Sequence, residues 1–230
     1  MASRALNDTI RQISRPKSLT ETAVEYIRKA IAKGNLGLGD PISESALAST
    51  LGISKTPVRE ALAQLKIEGL VKIFPQKGTF IFTMNEQEVI EICEFRYTLE
   101  SAALKLAIYR NRQAFLNELK EIETKMSAAR REKREDQYLD LDTKFHALFF
   151  KYCGNQFLVE AYRMIVARVA AVRTHLATVP SHMEKSYNEH KKMTKGIEEN
   201  RLDETLKILD EHISRTKESA ARYIPRYSLS

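Results

Sequence analysis

Residues 40–81 read DPISESALASTLGISKTPVREALAQLKIEGLVKIFPQKGTFI. SESALASTL has the length of a short helix, with Ser43 placed to cap its first free amides. GIS is a tight turn around Gly52, because glycine alone enters left-handed backbone without steric cost. A second helix opens after Ser54 and runs to Gly69. Its residues Val58, Ala61, Leu62 and Leu65 form an apolar stripe, while Lys55, Thr56 and Arg59 project together from another face. The period then changes from 3.6 to 2. LVKIF and GTFIF are β-rich, and PQKG between them is a hairpin loop with Gly78.

Upstream, a helix is expected from about residue 21 to 33, with Ala23, Ile27, Ala30 and Ile31 on one face and Thr20 as cap. Gly34, Gly37, Gly39 and Pro41 end it. Helix, short helix, turn, helix, hairpin is the order of a winged helix-turn-helix, whose last helix enters the DNA major groove while the hairpin reaches the backbone or minor groove beside it. Residues 1–18 are polar and irregular and are expected to be a flexible arm. The alternative, a small helical domain with one basic end, leaves the Gly-marked turn and the hairpin unexplained.

Downstream the chain reads as helices only. Six are expected, at about 85–109, 112–131, 135–152, 155–178, 183–199 and 203–223, separated in part by Gly154, Pro180 and the Glu199–Asn200 corner. The division is thus an arm (1–18), a DNA-binding head (19–84) and an all-α antiparallel bundle (85–230). The mixed-sign run ARREKRED at 129–136 is a solvated helix end.

Composition agrees with this division. Of 230 residues, 43% are hydrophobic, enough for a packed core. The net charge of +7 sits mostly in the first 84 residues, which hold 12 Lys and Arg against 7 Asp and Glu; the rest holds 25 against 23. A basic head suits a polyanion partner. Cys93 and Cys153 form no CxxC, which excludes a disulfide scaffold and fits a reducing cytoplasm. No run approaches the roughly 18 apolar residues of a membrane span, and the N-terminus does not look like a signal peptide.

Two residues in DLDTKFHALFF (140–150) look misplaced. Asp142 and His146 are four apart, on the helix face that also holds Leu139, Phe149 and Cys153. A buried carboxylate is costly unless paired or bound to a metal. His190 lies on a stripe with Met183, Tyr187 and Ile197, and His212 on a half-apolar stripe with Ile208 and Leu209. Imidazoles and a carboxylate suit zinc, nickel or manganese. The competing reading for each histidine is a hydrogen-bonded core residue. His175 and His182 are read as structural or exposed.

Residues 40–81 resemble the DNA-binding head of GntR-type bacterial transcription regulators. The resemblance rests on Leu47-Ala48, Leu51-Gly52-Ile53-Ser54, the Thr56–Leu62 helix start, Leu65, Glu68-Gly69-Leu70 and Gly78. The remainder is similar to the FCD branch of that family, through Arg96-x-x-Leu99-Glu100 and DTKFHALFFKYCGN. Six bundle helices would suit its VanR-like subgroup. The resemblance implies operator contacts from Lys55, Thr56 and Arg59, with Lys77 and Gly78 in the wing. It also implies a metal held by Asp142, His146, His190 and His212, zinc first, with nickel or manganese as alternatives. A small organic-acid effector would bind at that metal, with Arg96 and Arg168 as candidate anion partners and Arg173 a weaker one. Arg96 has a plainer reading as an ion pair with Glu100, and Arg168 as an exposed or dimer-face residue. Many relatives have Arg where this chain has Ser45 and Lys55, so the operator sequence does not carry over.

The function expected is a metabolite-responsive repressor, a cytoplasmic homodimer on an inverted-repeat operator. A metallohydrolase or oxygenase is the enzymatic alternative, but there is no HExxH, GxSxG or phosphate-binding Gly loop to support it. A nonspecific architectural DNA binder is the third reading.

Overall fold

Ser18 starts the first helix. Its hydroxyl accepts the Glu21 amide, and the Glu21 carboxylate accepts the Ser18 amide. This reciprocal box moves the cap from the expected Thr20 to Ser18. The computed structural model describes residues 16–179 and 181–223. Residues 1–15 of the expected arm, and Pro180, lie outside the described residues.

In the head, α1 (Leu19–Ala32), α2 (Glu44–Leu51) and α3 (Lys55–Ile67) surround a core of Ala23, Val24, Ile27, Val58, Leu62 and Leu65. Ser43 caps α2 as expected, and Gly52 closes it at φ 65. Gly69 ends the turn after α3 at φ 70. A bidentate contact from Arg28 to Glu68 (3.0 and 2.7 Å) ties α1 to the end of α3. The hairpin is β2 (Val71–Phe74) with β3 (Gly78–Ile81), and Phe74 pairs with Gly78 across the turn. A third strand, β1 (Pro41–Ile42), adds to β3. It was not anticipated, because two residues show no period; its proline is tolerated at a sheet edge.

The bundle begins at Asn85, which shares a capping box with Glu88. α4 (Glu86–Arg131) is broken by non-helical backbone at Asn111, where the sequence reading places a boundary. α5 (Glu135–Cys153) packs along α4 and ends at Gly154, φ 60, where Arg110 bonds the carbonyls of Cys153 and Gly154. The expected single helix over 155–178 is instead two, α6 (Gln156–Arg163) and α7 (Val166–Leu176). The amides of Met164 and Ile165 bond three residues back and tighten the chain into a turn. No Gly or Pro marks that turn. Tyr162 is held beside it by stacking on Phe150, with ring centroids 3.9 Å apart. Counting both sides of Asn111, the described bundle has seven helices, so the helix count no longer favours the six-helix VanR-like subgroup. α8 (His182–Glu198) and α9 (Leu202–Tyr223) complete it. None of the helices described is long and apolar enough to cross a membrane.

Candidate metal centre and DNA-reading face

α5, α8 and α9 bring His146, His190 and His212 together in the bundle interior, each at most 1% exposed. Their ring centroids are 4.9 to 5.2 Å apart, and one nitrogen of each lies within 4.8 Å of the other two. Phe145 stacks on His190 at 4.3 Å, and Phe149 meets His146 edge-on. These rings leave His146 and His190 little freedom to rotate.

Carboxylates set two of the three tautomers. His146 Nδ1 is 2.8 Å from Glu100 Oε2, and His212 Nδ1 is 2.7 Å from Glu189 Oε2. An ionised carboxylate only accepts, so both Nδ1 atoms donate and both Nε2 atoms keep their lone pairs. This is the carboxylate–imidazole arrangement that orients metal-binding histidines. His146 Nε2 is 3.1 Å from Arg96 Nη2 and 3.3 Å from His190 Nε2. Burial, then the nearby Arg96 and Arg173 charges, hold the His146 imidazole well below its usual range. Burial lowers His212 as well, and it lowers His190 to about 3. All three are therefore neutral near pH 7, as metal ligands must be.

Asp142 stands against this cluster. Its Oδ1 is 3.6 Å from His190 Nε2, and its Oδ2 accepts from Arg173 Nη1. Burial alone would raise this carboxyl, but the Arg173 charge foremost, with the imidazoles, holds it well below the usual carboxylate range. Three of the four expected ligands thus share one centre, with Asp142 at its edge. The residues fit a divalent cation. His190 Nδ1 and His212 Nε2 are buried without any partner, and a buried orphan atom costs about 1–3 kcal/mol, which a bound ion would offset.

Arg96 lies in the centre, 1% exposed, donating from Nε to Glu100 at 2.7 Å. The ion pair and the site location expected of Arg96 are both present. Arg168 is not in the centre. It rests against Gly69 of the head, where an added Cβ would stand 3.3 Å from its Nη1. Arg173, five residues on and about 140° around the helix, points inward instead. Three donor atoms there are buried and unpartnered: Arg96 Nη1, Arg173 Nε and the Tyr162 hydroxyl. A cavity of about 10 Å³ beside Asp142, Arg173, His182 and His212 has room for about one water. His182 is buried rather than exposed, and accepts from Arg215 Nη1 at 3.0 Å. His175 is partly buried and bonds the Tyr223 carbonyl at 2.7 Å.

Sequence reasoning did not assign Glu189, Arg215 or Tyr162 to the centre, and it ranked Arg173, which points inward, below Arg168, which does not. Periodicity reports which residues share a face within one helix, but not how neighbouring helices are rotated against each other. Glu189, next to His190 on α8, meets His212 and Arg215 of α9.

On the head, Lys55, Thr56 and Arg59 are exposed together at the start of α3, and Lys77 and Gly78 are exposed at the wing tip. Gly78 has φ 108, a backbone other residues rarely adopt. Arg59 is held by Glu44 of α2, with Nη2 to Oε2 at 3.0 Å.

A winged helix-turn-helix head joined to a helical bundle with buried imidazoles is the architecture expected of a DNA-binding transcription regulator. Family comparison agrees. Residues 19–81 match the model of bacterial regulatory proteins of the gntR family, and residues 91–215 match the FCD domain. The chain belongs to the GntR family, in its FCD branch. It is 31% identical over 133 residues to the HTH-type transcriptional regulator YdhC of Bacillus subtilis, covering 57% of this chain and 59% of that one. It is 38% identical over 96 residues to a probable D-xylose utilization operon transcriptional repressor of Paenarthrobacter nicotinovorans, 40% of this chain and 42% of that one. Its match to the HTH-type transcriptional repressor RspR of Escherichia coli is 22% identical and spans 90% and 91% of the two chains. The chain thus matches less than two thirds of the length of YdhC and of the xylose repressor. The solved structure of E. coli McbR/YncC superposes with TM-score 0.77 at 21% identity, over 89% of this chain and 98% of that one. That likeness bears on fold alone. YdhC, the xylose repressor and RspR are each named as transcriptional regulators, and none of them is named as an enzyme.

Proposed function

We propose that this chain is a metabolite-responsive repressor, acting in the cytoplasm as a homodimer on an inverted-repeat operator. The head, residues 19–84, reads DNA through Lys55, Thr56 and Arg59, with Lys77 and Gly78 of the wing on the adjacent backbone. The bundle, residues 85–230, joins the two copies and senses the ligand. Repressor-named relatives support the direction of control.

His146, His190 and His212, with Asp142 at the edge, would hold a divalent cation, zinc first and nickel or manganese as alternatives. The observation that supports this most is the pair of buried, unpartnered nitrogens on His190 and His212 beside carboxylate-oriented rings. A bound ion would supply concentrated positive charge for an anionic ligand. The chain's own share in effector binding is the unpartnered donor set of Arg96 Nη1, Arg173 Nε and the Tyr162 hydroxyl. Such donors suit the two oxygens of a small carboxylate. Arg168, turned toward the head, is not part of that set.

Elemental analysis of the wild type and of His146→Ala, His190→Ala and His212→Ala tests the metal. Near-stoichiometric metal in the wild type, lost in each variant, is expected. A wild type that stays metal-free after incubation with zinc, nickel or manganese refutes it. The cluster would then be a polar core network closed by the Asp142–Arg173 pair.

A further inference from the structure

α7 touches the buried centre on one side and the DNA-reading head on the other. Arg173 donates to the Asp142 carboxylate, and its Nη2 lies 3.4 Å from Thr143 Oγ1. The next residue, Thr174, donates its hydroxyl to the carbonyl of Ala32 at 2.7 Å. Ala32 is the last residue of α1, and its carbonyl is one of those a helix end leaves without an intrahelical donor. Thr174 also sits so close to Gly34 that a Cβ there would come within 2.9 Å of its methyl. Six residues earlier on α7, Arg168 lies along Gly69, the residue that turns the chain out of α3. Beside these contacts, Lys33 pairs with Asp140 of α5 at 3.2 Å.

These contacts share one short rigid body. Residues 173 and 174 are neighbours in a hydrogen-bonded helix, so neither side chain's backbone moves without the other's. Arg173 is 5% exposed and its main partner is Asp142. Whatever changes the claim on Asp142 changes the hold on α7. Motion of α7 is then delivered at two places in the head: the end of α1 through Thr174, and the end of the reading helix through Arg168.

We infer that α7 is the element that couples the buried centre to the head, with the Asp142–Arg173 pair as its input and Thr174 and Arg168 as its outputs. The inference shares its input residue with the proposed metal centre, but its mechanical part can be tested without any metal.

Hydrogen exchange of the full-length protein provides the test. Asp142→Asn removes the charge that holds Arg173 and keeps the side chain's size. It should speed exchange of amides 30–36 and 68–71 by about threefold or more, and leave the 115–126 segment of α4 unchanged. Thr174→Val keeps the shape and deletes the bond to Ala32. In that background the effect of Asp142→Asn on 30–36 should fall below about 1.5-fold, the non-additivity that marks coupled residues. An equal effect in both backgrounds overturns the inference. So does no effect at 30–36 and 68–71, or a uniform rise that includes 115–126. Zn²⁺ supplies a second arm: it should alter exchange at 30–36 in the wild type but not in Thr174→Val, with equal affinity for both. Zinc that binds the wild type and leaves the head unchanged overturns the coupling; zinc that fails to bind overturns the metal centre, and the variant comparison alone then decides on α7.

Discussion

Glu189 is not among the expected metal ligands, yet its replacement should be felt by a bound metal. Its Oε2 is 2.7 Å from His212 Nδ1, and both its oxygens accept from Arg215, at 2.9 and 2.6 Å. Burial would raise this carboxyl, but those bonds hold it down at about 2, so it is fully ionised near neutrality. Glu189→Gln keeps an acceptor for the imidazole and deletes the charge. Arg215 is then left unneutralised close to the place where the cation would bind. Loss of such an outer carboxylate costs about 10- to 100-fold in metal affinity. At zinc 100-fold above the wild-type Kd, binding stabilises the fold by about 2.7 kcal/mol; weakening by 10- to 100-fold leaves about 1.4 to 0.4 kcal/mol. For a chain of this size, the zinc-induced rise in melting temperature should fall from about 5–10 °C to about 1–5 °C. Competition with a chromophoric chelator gives the affinity, and thermal unfolding with and without zinc gives the shift. If Glu189→Gln folds normally and binds zinc within twofold of the wild type, His212 is not oriented for a metal by this carboxylate and the reasoning fails.

Arg59→Ala should weaken binding to an operator selected from random duplexes by roughly 10- to 100-fold and relax its base preference, whereas Lys77→Ala should weaken all duplexes alike and flatten the salt dependence; unchanged specificity for Arg59→Ala in a mobility-shift assay would count against the α3 assignment. The metal-free protein should lose stability as pH falls from about 6.5. Its His190 titrates at about 3 when folded, so between those values the unfolded chain binds a proton that the folded one refuses, costing about 1.4 kcal/mol per pH unit. His146 and His212 act in the same direction, whereas Asp142, held low by Arg173, gives up its contribution only below its ordinary 3.8. Urea midpoints that stay flat from pH 7 to 5 would contradict this.

The head was legible because its turns are written in residues that only turns need. Gly52, Gly69 and Gly78 all have positive φ, and each marks a boundary found from the sequence. The four-residue spacing of Asp142 and His146 made their shared inward face legible in the same way. The rest was hidden for two physical reasons. The break between α6 and α7 contains no glycine or proline, and it depends on how Tyr162 and Ile165 pack, which no local pattern encodes. The partners of the imidazoles and of Asp142 come from other helices, so Glu100 and Glu189 could not be matched to His146 and His212, nor Arg173 to Asp142. Arg168 and Arg173 look alike in VARVAAVRTHL, and only the rotation of α7 against α5 decides which one meets Asp142.

That pairing decides how the centre must respond to charge. Glu100 is bonded to Arg96, Asp142 to Arg173 and Glu189 to Arg215. Three acids and three guanidiniums surround three neutral imidazoles, so the assembly is balanced as it stands. A divalent cation would add two positive charges to an interior already holding Arg96 and Arg173, where like charges repel far more strongly than in water. A small dicarboxylate arriving with the cation restores the balance and offers acceptors to Arg96 Nη1, Arg173 Nε and the Tyr162 hydroxyl, which otherwise have none. Zinc and carboxylate should therefore bind with positive coupling. Binding linkage is reciprocal, so zinc must raise affinity for the carboxylate by the same factor that the carboxylate raises affinity for zinc, about 5- to 150-fold for a coupling of 1–3 kcal/mol. Calorimetric titration in both orders, corrected for chelation of free zinc by the acid, measures the two factors. Arg173→Met should shrink both, since it removes a donor that the carboxylate needs and frees Asp142 to neutralise the cation by itself. If zinc affinity is the same with and without every small mono- and dicarboxylate tried, the charge balance described here does not govern the site.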